Sequence, residues 1–301
     1  MNSVVPPIPL IDPDACTGCG RCISLCPKGV LVLSEERAVV TAEECMLCAH
    51  CYAVCPHGAI RFNPELLRGP IFTTFTPVET PRVKDTTDPA DIVHFIRSRR
   101  SVRRYRDTPL EDDTISDLVE FAVTAPSGSN RQDWRFLVLN SREKVWDLAQ
   151  EIRNFFIRLN RLAGNPFIRW CSLPFAGTAL IRYHRDHMAS VEKGLREAEG
   201  GRDLLFHGAP AVIIIHGPRE GSTPVEDAQF ASYHIALLAH ALGLGTCHIG
   251  YAVESINRSG RIRRRLGIPD NGRVHAVMTV GHPDIKFERP ALRKHFDLRY
   301  L

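Results

Sequence analysis

Apolar positions are sparse at the front of this 301-residue chain, thin out in a proline-rich stretch, and become regular from residue 89 onward. At the front, two short apolar stretches fit small strands, Gly29 to Leu33 and Gly58 to Phe62. Residues 63–88 carry Pro64, Pro70, Pro77 and Pro81 among Thr73, Thr74, Thr76, Thr80, Thr86 and Thr87, which excludes a continuous helix and reads as an extended linker. Asp88 before Pro89 is a helix start, a capping carboxylate followed by the one residue that lacks an N–H to satisfy. That helix runs towards Arg99, with Ile92, Val93 and Ile96 as its apolar face. Ile115, Leu118, Val119 and Ala122, at spacings of three and four, predict a second helix stopped by Pro126 and Gly128. Trp134 to Leu139 reads as a buried strand. Ser141 is placed to cap a long helix whose inner face is Val145, Leu148, Ala149, Ile152 and Phe156.

Between Phe156 and Phe206 the pattern is mixed and broken by Pro166 and Pro174, so no elements are assigned there. Ala211 to Ile215 is fully apolar and fits a central strand. Val225 to Leu242 predicts a buried helix with Ala231, Ile235, Leu238, Ala239 and Leu242 inside and Gly243 and Gly245 beyond its end. Val274 to Val280 closes the pattern as a strand. Few strands among long helices imply an α+β or α/β layer architecture. The expected division is residues 1–62, a linker over 63–88, and a larger domain over 89–301.

No apolar run approaches the ~20 residues that cross a bilayer, and the start, with Pro6, Pro7 and Pro9, lacks a basic segment followed by an apolar one. A cytoplasmic, unanchored protein is expected. The first sixty residues hold three Lys and Arg against six Asp and Glu, and the remainder thirty-five against twenty-eight, so the front is acidic and the back mildly basic. Nucleic acid needs a concentrated basic face; an anionic cofactor accounts for an excess this diffuse.

Ten cysteines would suit a disulfide framework in a small secreted chain, but eight fall in two matching runs. Cys16-x2-Cys19-x2-Cys22-x3-Cys26-Pro27 returns as Cys45-x2-Cys48-x2-Cys51-x3-Cys55-Pro56. A [4Fe-4S] cube offers four iron corners, each wanting a thiolate. A pair of zinc sites is the alternative, but paired ligands leave the third cysteine and the proline-flanked fourth unexplained, twice. Residues 12–62 resemble bacterial two-cluster ferredoxins throughout. In these the last cysteine of each run ligates the other cluster, which implies two [4Fe-4S] clusters, one on Cys16, Cys19, Cys22 and Cys55 and the other on Cys45, Cys48, Cys51 and Cys26. Clusters pass electrons singly, and chemistry on electron pairs needs a converter such as flavin.

Arg99, Arg100, Arg103 and Arg104, with Ser101 and Tyr105, form a basic segment near a helix end, suited to gripping phosphate or simply to a solvated face. Pro126-Ser127-Gly128-Ser129-Asn130-Arg131-Gln132-Asp133-Trp134 is a small polar turn entering a strand, and Gly243-Leu244-Gly245-Thr246-Cys247-His248-Ile249-Gly250 closes a helix with flexible backbone. Taken in this order, the three motifs resemble the FMN-dependent nitroreductase family over residues 90–301. The resemblance implies a nitroreductase-like α/β sandwich after a small ferredoxin-like domain, α+β overall, in an intertwined homodimer with a flavin at each end of its interface. It implies that Arg99, Arg100, Ser101 and Arg103 hold the FMN phosphate, ribityl and pyrimidine edge, with Arg293 returning to the phosphate. Pro126, Ser127, Gly128, Ser129 and Asn130 would come from the partner subunit, while Cys247, His248, Ile249 and Gly250 lie against the isoalloxazine. Asp133 stands where that family commonly has proline.

No strand-Gly-x-Gly-x-x-Gly-helix unit is present, so no dedicated dinucleotide domain is expected. Reduced ferredoxin and NAD(P)H both remain as donors. A small acceptor, nitroaromatic, quinone or activated alkene, fits an enzyme; an electron-transfer or redox-sensing module acting on a protein partner is the alternative, as is an NAD(P)H-dependent nitroreductase whose clusters buffer electrons. Cys171 and Cys247 read as inert thiols, His184 and His187 as surface, and His207, His234, His240 and His248 as packing histidines. No catalytic acid or base is assigned.

Overall fold

The computed structural model describes residues 8–41, 44–78 and 87–301, and these sort into two units. The first comprises Met1–Ile71 with Pro126–Gln132, and the second Phe72–Ala125 with Asp133–Leu301. Residues 79–86 of the expected linker, including Thr80, Pro81 and Thr86, lie outside the described residues, as do Pro6 and Pro7.

In the first unit the sequence repeat becomes a backbone repeat. β1 (Leu10–Ile11) pairs antiparallel with β4 (Ile60–Arg61), and β2 (Leu31–Ser34) with β3 (Arg37–Val40). α1 (Arg21–Ser24) and α2 (His50–Val54) start at equivalent points, each after a left-handed residue, Gly20 with φ 68° and Ala49 with φ 55°. Gly18 (φ 69°) matches Leu47 (φ 52°), and Gly29 matches Gly58, both at φ 63°. Gly18 tolerates no side chain, because a Cβ there would lie 2.0 Å from the Glu36 carbonyl oxygen. A small core of Val30, Leu31, Ala38 and Ile60 packs with Cys22.

In the second unit the Asp88 carboxylate caps α3 (Pro89–Ser98) by accepting the Ala90 N–H at 2.8 Å. The Ile92, Val93 and Ile96 face of α3 stays exposed. α4 (Asp112–Ala122) buries Ile115, Leu118 and Ala122. β5 (Arg135–Leu139) leads to α5 (Arg142–Gly164), capped by Ser141 Oγ accepting the Lys144 N–H at 3.1 Å; all five residues of its expected inner face are buried. The segment with no readable pattern forms α6 (Pro166–Cys171), α7 (Leu173–Ala176), α8 (Ala179–Asp186) and α9 (Met188–Glu199), which bury only Val191. These helices are short and interrupted by Pro166 and Pro174, so the apolar stripe that α8 and α9 do carry, with Tyr183 and Leu195 packed against the core, gives no continuous period to read.

β6 (Ala211–Pro218), α10 (Pro224–Ala241), β7 (Gly245–His248), α11 (Gly250–Arg258), α12 (Gly260–Arg265) and β8 (Gly272–Gly281) complete the unit. The sheet order is β5-β6-β8-β7, antiparallel throughout. Side chains alternate across a strand, so Ala211, Ile213 and Ile215 of β6 pack with α4 and α10, while Val212 and Ile214 pack with α5, α11 and α12. Helices therefore cover both faces of an antiparallel sheet, an α+β layer arrangement. Three expectations are corrected. β5 is an edge strand and only half-buried, because it pairs with β6 alone. Leu242 is exposed because α10 ends at Ala241. Gly245–His248 is a sheet strand rather than flexible backbone.

The linker is anchored at Thr73 and Thr74. Asp117, fully buried on α4, accepts the Thr73 N–H at 2.8 Å, the Thr73 hydroxyl at 3.1 Å, the Thr74 N–H at 2.8 Å and the Thr74 hydroxyl. Desolvation pushes this carboxyl up, but the four hydrogen bonds outweigh it and hold it below the ordinary carboxylate range. A lowered folded-state value contributes stability that is present above the unfolded pKa and lost as pH falls through the folded one. Asp117→Ala strands these donors and is expected to cost about 3 kcal/mol. Calorimetry checks this as a fall in Tm of roughly 6–12 °C at neutral pH that narrows below about pH 4.

Candidate functional site

The eight clustered thiols sort into two rings within the first unit. Cys16, Cys19, Cys22 and Cys55 line one small cavity, and Cys26, Cys45, Cys48 and Cys51 line a second, so each ring takes three thiols from one run and one from the other. Backbone N–H groups reach three of the sulfurs: Ala38 to Cys16 at 3.4 Å, Leu47 to Cys45 at 3.3 Å and Ala59 to Cys55 at 3.3 Å. Hydrogen bonds to sulfur stabilise the thiolate and tune the potential of a bound cluster. Burial pushes the Cys51 thiol up to about 11 and raises that of Cys22, so these sites hold protons that iron must displace. Among the described residues no three His, Cys, Asp or Glu side chains close on one point as a single metal ion requires. The thiols surround a volume instead, which fits a cube.

In the second unit the basic segment runs beside β7. Ser101 bridges Thr246, and the Val102 N–H donates to the Thr246 carbonyl at 2.9 Å. Gly245 permits the approach, since a Cβ there would lie 2.5 Å from Val102 Cγ2. The Tyr105 hydroxyl donates to the Val102 carbonyl at 2.9 Å and sits 2.7 Å from Thr279 Oγ1, and burial pushes its phenol up, so it stays neutral. Arg99 Nε is buried with no hydrogen-bond partner. An unmet guanidinium N–H in a buried place is costly unless an acceptor arrives from outside the chain, and a phosphate or a flavin edge is such an acceptor. Burial raises the Cys247 thiol, while Arg103, Ser101 and Arg99 around it pull the other way. Arg100 stacks over Phe287 at 5.0 Å. Gly245→Ala is expected to force the basic segment off β7 and weaken FMN binding about tenfold, ~1.4 kcal/mol, checked by fluorescence titration of the apoprotein.

A cavity of about 920 Å³ opens beside β7 and the basic segment, walled by Arg103, Cys247, His248, Ile249 and Gly250. Part of its wall is aromatic: Phe156 and Tyr251 have ring centroids 5.8 Å apart, Tyr251 and His187 6.1 Å, and His187 and Tyr183 6.3 Å. His187 therefore joins the cavity wall rather than lying apart from it. His207, read from the sequence as a packing residue, also lines the cavity, and holds a left-handed φ of 59°. Asp203 secures its loop by accepting the N–H groups of Leu205 and Phe206 at 2.9 Å and of Gly208 at 3.3 Å. Burial lowers both His207 and His248, leaving them neutral at physiological pH. The signal for His207 is conformational and leaves no trace in a residue pattern.

Three groups of expected residues fall outside this cavity, the first being Arg99, Arg100 and Ser101 of the basic segment, of which only Arg103 reaches its wall. Arg293 lies in the exposed C-terminal tail, its guanidinium donating to the Leu292 carbonyl at 3.0 Å. Pro126 to Asn130 belong to the first unit, where Gly128–Asn130 forms one 3-10 turn, Ser127 Oγ accepts the Gln132 N–H at 3.1 Å, and Ser129 and Asn130 are left-handed.

Comparison with known proteins follows the same division. Residues 96–282 match the model of the nitroreductase family, and residues 8–56 that of the 4Fe-4S dicluster domain. Chloronitrobenzene nitroreductase of Comamonas testosteroni is 29% identical over 205 residues, 63% of this chain and 86% of that protein. 4-Nitrobenzoate reductase of Nocardioides sp. is 26% identical over 205 residues, 63% of this chain and 79% of its own length. A nitroreductase with bound FMN from Desulfitobacterium hafniense superposes with a TM-score of 0.51 at 25% identity, covering 69% of this chain and 97% of its own. With the family match spanning more than half its length, this chain belongs to the nitroreductase family, as an FMN-dependent oxidoreductase that carries an N-terminal 4Fe-4S dicluster domain.

Proposed function

We propose that the protein passes electrons from two [4Fe-4S] clusters held by residues 1–62 to an FMN held by residues 89–301, and from there to a small acceptor such as a nitroaromatic, quinone or activated alkene. The observation that carries this reading is that one chain holds both two rings of four thiols and a cavity walled by Arg103, Cys247, His248, Ile249 and Gly250. When bound, the clusters supply electrons singly and the flavin converts them to pairs or hydride.

The chain's own residues do the rest. Arg99, Arg100, Ser101 and Arg103 hold the phosphate, ribityl and pyrimidine edge, and Cys247, His248, Ile249 and Gly250 back the ring system. Phe156, Tyr183 and Tyr251 give the cavity flat apolar walls that suit a planar acceptor and exclude water. The neutral His207 offers a hydrogen bond there without adding charge. A homodimer is part of this reading: the bare Ile92, Val93 and Ile96 face and the exposed Leu292, Phe296, Leu298 and Tyr300 of the tail are apolar surfaces that a second copy would cover.

The test is an absorption spectrum with iron, sulfide and flavin analysis on anaerobically purified protein, then reduction by NADH, NADPH and reduced ferredoxin in turn. About eight iron and one FMN per chain, with the flavin bleached through reduced ferredoxin, is the expected result. Rapid bleaching by NADH would move the donor to a nicotinamide nucleotide, and flavin oxidation by a protein partner without turnover of any small acceptor would favour the sensing role.

A further inference from the structure

We infer that Asn130 is a positioning residue for the loop of the second cysteine run, Cys45 to Cys48, and not a ligand of the flavin. The inference rests on the proposal that this run holds an iron-sulfur cluster. The Asn130 side-chain nitrogen donates to the Met46 carbonyl at 3.0 Å and to the Leu47 carbonyl at 2.9 Å. A carboxamide has two N–H donors. Both are committed within the first unit, and only Oδ1 is left for anything else.

The second run needs such a clamp for a reason visible in the repeat. Where the first run has Gly18 and Gly20, at φ 69° and 68°, the second has Leu47 and Ala49, at φ 52° and 55°. Glycine adopts this conformation freely, whereas a residue with a Cβ is penalised there. The Leu47 N–H, which donates to Cys45 Sγ at 3.3 Å, belongs to the same peptide unit as the Met46 carbonyl that Asn130 holds, and the left-handed turn at Leu47 sets where the chain goes next. Relaxing the turn would withdraw that donor and shift the thiol that defines one corner of the ring. Asn130 holds the carbonyls of the peptide units on both sides of Leu47, one of them the unit whose N–H reaches Cys45, and so opposes the relaxation. Its own φ of 54° is one that asparagine accepts more readily than most residues. One residue type thus meets a backbone and a side-chain demand together. Aspartate would accept the same φ but would set a carboxylate against two carbonyl oxygens.

The experiment compares full-length wild type, Asn130→Asp and Asn130→Asp/Leu47→Gly, purified anaerobically, by iron and sulfide content, the electron paramagnetic resonance spectrum after dithionite reduction, and FMN content. Wild type with about eight iron per chain establishes the cluster reading on its own, and about four or fewer would defeat that reading whatever Asn130 does. The expected result is that Asn130→Asp loses about half the wild-type iron while keeping wild-type FMN, its residual spectrum matches that of Cys48→Ala, and Leu47→Gly restores much of the lost iron. Full iron with lost FMN in Asn130→Asp would overturn the inference and return Asn130 to the flavin, as would an unchanged spectrum. If Asn130→Asp does not accumulate, Asn130→Ala with Leu47→Gly decides between the same outcomes: full iron supports the clamp, and iron as low as in Asn130→Ala alone overturns it.

Discussion

Arg99→Glu is expected to yield protein that keeps its iron and loses its FMN. Arg99 Nε is buried without a partner in the segment that β7 holds beside Cys247. On the proposed role of Arg99, a charge-assisted, bidentate contact with phosphate is lost on substitution and a carboxylate then faces the phosphate, so the two effects add. A loss of about 3 kcal/mol or more corresponds to at least ~100-fold in Kd, enough to strip the cofactor during purification. Flavin released by heating, measured against iron in the same sample, reads the result. Arg99→Lys, which keeps the charge but not the fork, is expected to fall between. Wild-type flavin content in Arg99→Glu would show that the phosphate is held elsewhere.

Cys26→Ala is expected to remove the cluster formed by the other run. Cys26 sits in the first run, yet it lines the cavity of Cys45, Cys48 and Cys51. A cube deprived of one thiolate has a corner open to solvent, and iron should drop from about eight to about four per chain. The assignment is tested by matching residual spectra. Cys26→Ala should leave the same paramagnetic signal as Cys48→Ala, and Cys55→Ala the same signal as Cys19→Ala. A Cys26→Ala spectrum that matched Cys19→Ala would refute the crossed arrangement.

Much of this was legible in the chain itself because local chemistry dictates it. Cysteine spacing states the number and order of thiols, and the caps at Asp88 and Ser141 act through the next two or three residues, so both helices begin where their sequence says. The unbroken apolar run at Ala211 implies a strand covered on both faces, and helices do cover both. Other features depend on partners distant in sequence. Thr73 and Thr74 look like linker residues until Asp117, more than forty positions on, is folded against them. Gly245 looks like part of a flexible turn until Val102 arrives against β7. His207 has no distinguishing neighbours, and only its left-handed backbone and place in the cavity wall set it apart.

The sequence by itself determined the two thiol runs, the flavin-family motifs and the layered α+β class, because these rest on residue type and spacing. Only the tertiary structure decided that α7 and α8 wall the cavity, that His207 joins them there, and that both Asn130 N–H groups are spent on the Met46 and Leu47 carbonyls. Each of these is a meeting of groups far apart along the chain, and no local period or propensity encodes such a meeting.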